Sequence, residues 1–108
     1  LVFQNIISNA IKFTKKDKIP RINITVTDFH SKLKVTVTDY GIGMSEEIQS
    51  NIFEYRSRGN LEDQSAKGYG IGLSHCKAII TDLGGRIWVK SKTDEGSRFY
   101  LELPKQQL

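Results

Sequence analysis

The chain has 108 residues, 38% of them hydrophobic and 26% charged, which supplies one core for one small domain and excludes a disordered, low-complexity class. No apolar run approaches the roughly 20 residues of a membrane span and no signal peptide opens the chain, so direct membrane contact is not expected of this stretch. The net charge of +4 favours an anionic partner; nucleic acid is the weaker choice, because no basic strip is interleaved with aromatics.

The chain begins at Leu1 rather than Met and is already helical in pattern there, so a piece of a larger protein is expected. Residues 1–13 place Val2, Phe3, Ile6, Ile7, Ala10, Ile11 and Phe13 on one broad arc, which predicts a core helix. Asn5, Asn9 and Lys12 form a polar stripe opposite. Lys15 to Pro20 breaks the helix. Residues 21–28 and 33–39 alternate Ile22, Ile24, Val26 and Leu33, Val35, Val37 against polar neighbours, predicting a hairpin of two half-buried strands.

Ser45 is the expected N-cap of a short helix reaching Phe53. Residues 54–69 lack periodicity and predict a long loop. A helix over 71–83 shares Leu73, Cys76, Ile79, Ile80 and Leu83 on one face and ends at Gly84-Gly85. A second hairpin pairs Ile87 and Val89 with Phe99, Leu101 and Leu103 through the turn at 93–96. This order predicts an α/β fold, a two-layer sandwich with a sheet of antiparallel pairs and about three helices packed on one face.

The single cysteine, Cys76, excludes an intrachain disulfide and is expected to be a small core residue. His30 and His75 lack zinc-type spacing. His75 falls on the fringe of its helix's apolar arc and is expected to be partly buried.

Asp39 has the parity of Leu33, Val35 and Val37, so its strand aims a carboxylate at the core face, where an isolated charge is costly. Asp28 has the same parity in its own strand, and a strand-end aspartate can serve merely as a turn residue. What sets Asp39 apart is the following Gly41-Ile42-Gly43, which permits close approach of backbone to a ligand. A carboxylate there can accept a hydrogen bond from the exocyclic amine of adenine, where guanine presents an acceptor. Gly68-Tyr69-Gly70-Ile71-Gly72 precedes a helix, a place where free N–H groups attract phosphate, yet its spacing departs from the dinucleotide and Walker loops. Asn5 and Asn9 carry amide oxygens suited to Mg²⁺, with Lys12 placed to meet phosphate; a solvated helix face is the plainer account of such a stripe taken alone.

Taken together, Asn5-Ile-Ile-Ser-Asn9-Ala-Ile-Lys12, Asp39-Tyr-Gly41-Ile-Gly43-Met, Ile52-Phe53-Glu54 and Gly68-Tyr-Gly70-Ile-Gly72-Leu73 resemble the asparagine, first glycine, phenylalanine and second glycine boxes of sensor histidine kinase catalytic domains. Gly84-Gly85-Arg-Ile and Gly96-Ser97-Arg-Phe99 also look like that family. The resemblance implies a Bergerat ATP-binding fold with a mixed, mostly antiparallel sheet, and ATP with Mg²⁺ as cofactors. It further implies that Asn9 holds Mg²⁺ with Asn5 supporting it, and that Lys12 contacts phosphate. Asp39 would hold the adenine amine, Gly41 and Gly43 would shape the base pocket, and Gly68, Gly70, Gly72 and Leu73 would line the nucleotide. Residues 54–67 would form the ATP lid, with Arg58 reaching phosphate.

Two departures from the family pattern fall near the lid: Tyr69 stands where Thr is usual, and Tyr55 offers the second aromatic of the phenylalanine box only in shifted register. Related ATPases depend on a glutamate where this chain has Asn5, and an amide cannot take a proton from water. The implied activity is therefore transfer of the γ-phosphate to a histidine. That histidine would lie on an upstream dimerisation domain of a homodimer whose catalytic part is cytoplasmic, with a membrane anchor elsewhere in the full-length protein left open, and a response-regulator receiver domain would serve as downstream partner. A degenerate adenine-nucleotide sensor and an anti-sigma-type serine kinase are the alternatives.

Overall fold

The computed structural model describes residues 2–54 and 72–105. Their elements run α1 (Val2–Lys12), β1 (Ile22–Asp28), β2 (Lys32–Asp39), α2 (Glu46–Asn51), α3 (Gly72–Asp82), β3 (Arg86–Lys92) and β4 (Gly96–Pro104). The strands form one sheet in the order β1-β2-β4-β3. Every pairing among the described residues is antiparallel, and the helices cover one face, as the two-layer α/β expectation requires.

Alternation decides which side of each strand meets the helices. Val35 faces Leu101 and Leu101 faces Ile87; Val37 faces Phe99 and Phe99 faces Val89. These rows meet Ile6 of α1, Ile48 of α2 and Leu73, Cys76 and Ile80 of α3 in one core. A fully buried side chain of this size contributes roughly 1.5–3 kcal/mol, so the core rests on a few central residues. Phe99, against whose ring Phe53 stands edge-on at 6.2 Å, is one of them; cutting it to Ala would cost about 3–5 kcal/mol.

Helix α2 begins as expected, with Ile48 N–H donating to Ser45 Oγ at 3.3 Å, but its last helical residue is Asn51 rather than Phe53. Three expectations of burial fail for one reason, that an apolar arc is wider than the surface that covers it. On α1 only Ile6 and Ala10 are buried, while Phe3 and Ile11 stay exposed because the helix packs chiefly on α3 and β2 among the described elements. On α3 the buried stripe is Leu73, Cys76 and Ile80; His75 points to the opposite side and is exposed, and Leu83 lies past the helix end, also exposed. Strand β1 is an edge strand whose Ile24 and Val26 share the helix-side face with no helix above them, at 50% and 60% exposure. Among the described residues no helix is long and apolar enough to cross a membrane.

Candidate functional site

Asp39 ends β2 between two neighbours, opposite Ile22 of β1 and Ser97 of β4, and Ser97 in turn faces Ser91 of β3. This row closes the helix-side face at one end of the sheet. The carboxylate is half-buried and its Oδ1 accepts a hydrogen bond from Gly41 N–H at 3.0 Å. Burial pushes the Asp39 carboxyl above its ordinary value of 3.8, against the pull of the Gly41 and Ser97 backbone amides. Among the described residues it makes no ion pair. Two amides and no cation leave a partly desolvated acceptor able to take a further donor.

The serines behind it form a closed hydrogen-bonded cluster. Ser91 Oγ donates to Gly96 carbonyl O at 2.7 Å, lies 2.8 Å from Ser97 Oγ and accepts from Met44 N–H at 2.8 Å. Sequence reasoning missed Ser97 and Ser91 as neighbours of Asp39. A signal existed for Ser97, whose parity with Phe99 and Leu101 places it on the inner face.

The first glycine motif has a cause within the chain itself, besides the close approach of a ligand expected of it. A Cβ on Gly41 would stand 2.4 Å from the Phe13 carbonyl O, and one on Gly43, at φ +72°, would stand 2.0 Å from the Lys92 carbonyl O. The bareness of these glycines is thus required by the chain's own backbone crossing. Ile42 between them is pinned on both sides: its N–H donates to Phe13 O at 3.0 Å, and its O accepts from Asp94 N–H at 2.7 Å. The result is a rigid frame around Asp39, joined to the end of α1.

The start of α1 is joined to α3. Asn5 Nδ2 donates to Gly72 O at 3.5 Å and to Cys76 Sγ at 3.7 Å, and the thiol donates to Val2 O at 3.7 Å. Cys76 is fully buried, as expected of a core residue, and burial pushes its thiol up. Helix α1 therefore bridges the two glycine motifs, with Asn5 at Gly72 and Phe13 at Gly41. Asn9 lies between them, half-buried, and Lys12 is exposed, its Nζ 5.7 Å from the Phe13 ring centroid.

Leu73 is wholly buried in the core, so only its backbone N–H in the first turn of α3 can face a ligand. Gly68, Gly70, Arg58 and the lid residues after Glu54, with Tyr55 and Tyr69, lie outside the described residues. No group of three or more His, Cys, Asp or Glu suited to a metal exists among the described residues. A divalent ion here would rest on amide oxygen and on its ligand's phosphates, a donor set that suits Mg²⁺, which keeps several waters and takes few protein ligands. Asn9 fits that role. Asn5 has its amide NH₂ committed to α3.

Residues 1–107 match the family described as histidine kinase-, DNA gyrase B- and HSP90-like ATPases. The chain belongs to this family. It is 42% identical over 107 residues to the adaptive-response sensory kinase SasA of Synechococcus sp. (strain JA-3-3Ab), covering 99% of this chain and 28% of that protein. It is 39% identical over 103 residues to cyanobacterial phytochrome A of Nostoc sp. (strain PCC 7120), covering 95% of this chain and 13% of the other. Among solved structures, the catalytic domain of the histidine kinase ThkA superposes with a TM-score of 0.74 at 33% identity, over 98% of this chain and 66% of that one. The chain thus spans under a third of these two curated relatives. Within the family it is an ATP-binding domain of the sensor-kinase type.

Proposed function

We propose that the domain binds Mg-ATP and donates the γ-phosphoryl group to a histidine carried by a separate dimerisation domain of the same protein. The observation that carries this reading is Asp39: a half-buried carboxylate with no ion pair among the described residues, fixed by backbone amides beside a rigid glycine frame. It accepts a hydrogen bond from the adenine amine, and guanine, with an acceptor at that place, is rejected.

Asn9 holds Mg²⁺ through its amide oxygen, and Asn5 keeps α1 and α3 in register beside it. When bound, Mg²⁺ neutralises charge on the β- and γ-phosphates. Lys12 and the lid's Arg58 meet the phosphate oxygens, and backbone N–H groups of Gly68, Gly70 and Gly72 face the same charge. Transfer breaks the bond from the γ-phosphorus to the bridging oxygen, ADP leaves, and a ring nitrogen of histidine takes the phosphoryl group. With Asn5 in place of a glutamate, no side chain at that position takes a proton from water, which favours transfer over hydrolysis. The full protein is read as a cytoplasmic homodimer that passes the phosphoryl group to a receiver domain.

The test is incubation of the protein with γ-labelled ATP and Mg²⁺, with and without the histidine-bearing domain. Acid-labile label on that domain, and little free phosphate without it, is the expected result. Phosphate release as fast without the acceptor as label transfer with it would overturn the reading.

A further inference from the structure

The sheet face turned away from the helices plays no part in the nucleotide reading. Across β2, β4 and β3 its rows are Lys34–Glu102–Arg86, Thr36–Tyr100–Trp88 and Thr38–Arg98–Lys90, alternating with the buried rows of the core. Trp88 and Tyr100 stack with centroids 5.3 Å apart and planes 14° from parallel. Cations cover this pair: Lys34 Nζ lies 5.7 Å and 5.1 Å from the two ring centroids, the Arg86 guanidinium 4.6 Å from Trp88, and Lys90 Nζ 5.9 Å from Tyr100.

The only carboxylate on these rows, Glu102, is shared by Lys32 at 3.6 Å and Arg86 at 3.7 Å. Lys34, Lys90 and Arg98 make no ion pair among the described residues.

We propose that this face docks an acidic segment of a partner protein, its carboxylates meeting Lys34, Lys90 and Arg98 around the Trp88–Tyr100 stack. Charge complementarity selects the partner, since a row of cations with one committed carboxylate attracts anions and repels basic surfaces. The aromatic stack adds pre-organisation: cations resting on ring faces lose less side-chain freedom when a carboxylate arrives. The same stacking disfavours single-stranded nucleic acid, which needs open ring faces for its bases, whereas here the rings contact each other and the cations.

The test is fluorescence anisotropy of a labelled Glu-rich peptide titrated with the protein, with an unlabelled oligothymidylate of matching charge as competitor. Saturable binding that weakens about tenfold in the Lys34→Gln/Lys90→Gln/Arg98→Gln variant, and weakens with added salt, is expected. The Lys90→Gln/Arg98→Gln variant changes exposed side chains only, and serves if the triple variant fails to fold. It should weaken the peptide several-fold while leaving ATP affinity unchanged, so this outcome is independent of the nucleotide reading. No saturable binding, equal binding by the variants, or tighter binding of the oligothymidylate would overturn the proposal.

Discussion

The ends of β1 and β2 carry the same residue in the same orientation and make different sites of it. Asp28 and Asp39 both lie on the helix-side parity, opposite Leu33 and Ile22 respectively. Asp28 is exposed, accepts from His30 N–H at 3.0 Å and pairs with Lys105 at 2.7 Å, a contact that holds its carboxyl below the usual range. Asp39 is half-buried, meets backbone amides and, among the described residues, no cation, and is pushed the other way by burial. Parity is shared; burial follows the neighbours. Strand β1 is an edge whose Ile24 and Val26 stay exposed, while β2 lies between β1 and β4 and runs into the glycine frame. One end of the hairpin is a satisfied turn and the other an acceptor still able to bind.

The largest expected break in this comparison is Asp39→Ala. Removing a hydrogen bond to a charged group is worth about 1.5–3 kcal/mol, so ATP affinity measured by calorimetry should fall about 10- to 150-fold. Asp28→Ala should leave it unchanged. If Asp39→Ala binds ATP as well as the parent, or GTP competes equally with ATP, Asp39 does not select a purine by its amine. Next in size is Gly41→Ala, whose Cβ would meet the Phe13 carbonyl O at 2.4 Å. Crowding of that kind costs about 1–3 kcal/mol, to be read as a lower urea midpoint with unchanged slope. An unchanged midpoint would mean that the frame yields freely.

How much of this was legible depended on whether the cause was local. Alternation and helical spacing placed six of the seven elements, because each segment's apolar pattern matches its own period, and the Ser45 cap placed α2. Asp39 was legible from parity plus the glycines after it. The reason for those glycines was not, since Phe13 and Lys92 approach from elements distant in sequence. The bridging role of Asn5 was hidden in the same way, as its partners Gly72 and Cys76 lie on α3. No basic strip interleaved with aromatics runs along the sequence, because Lys34, Trp88 and Tyr100 come from three strands and meet only in the sheet. Exposure of Phe3, Ile11, Ile24 and Val26 depended on where the covering layer stops, which no single segment encodes.

The smallest effects concern protons, and their signs are opposite at the two aspartates. The Asp39 carboxyl holds its proton above 3.8 in the folded state, so between that pH and its raised value the folded chain binds more protons than the unfolded one. Its contribution to stability therefore declines as pH rises through the window, and nucleotide affinity, which needs the ionised acceptor, improves over the same window. Asp39→Asn should remove both slopes, visible as a flatter dependence of ATP affinity on pH. Asp28 is shifted the other way, so its contribution is present above 3.8 and is lost as pH falls through its lowered value. Because Asp28 is fully solvated, water and salt screen its pairing with Lys105. Asp28→Asn should therefore change the acid-side urea midpoint only slightly, with ATP affinity unaltered at every pH. A loss of ATP affinity in Asp28→Asn as large as in Asp39→Asn would mean that the two strand ends are coupled through the hairpin, and that the contrast between them is not a property of their immediate neighbours.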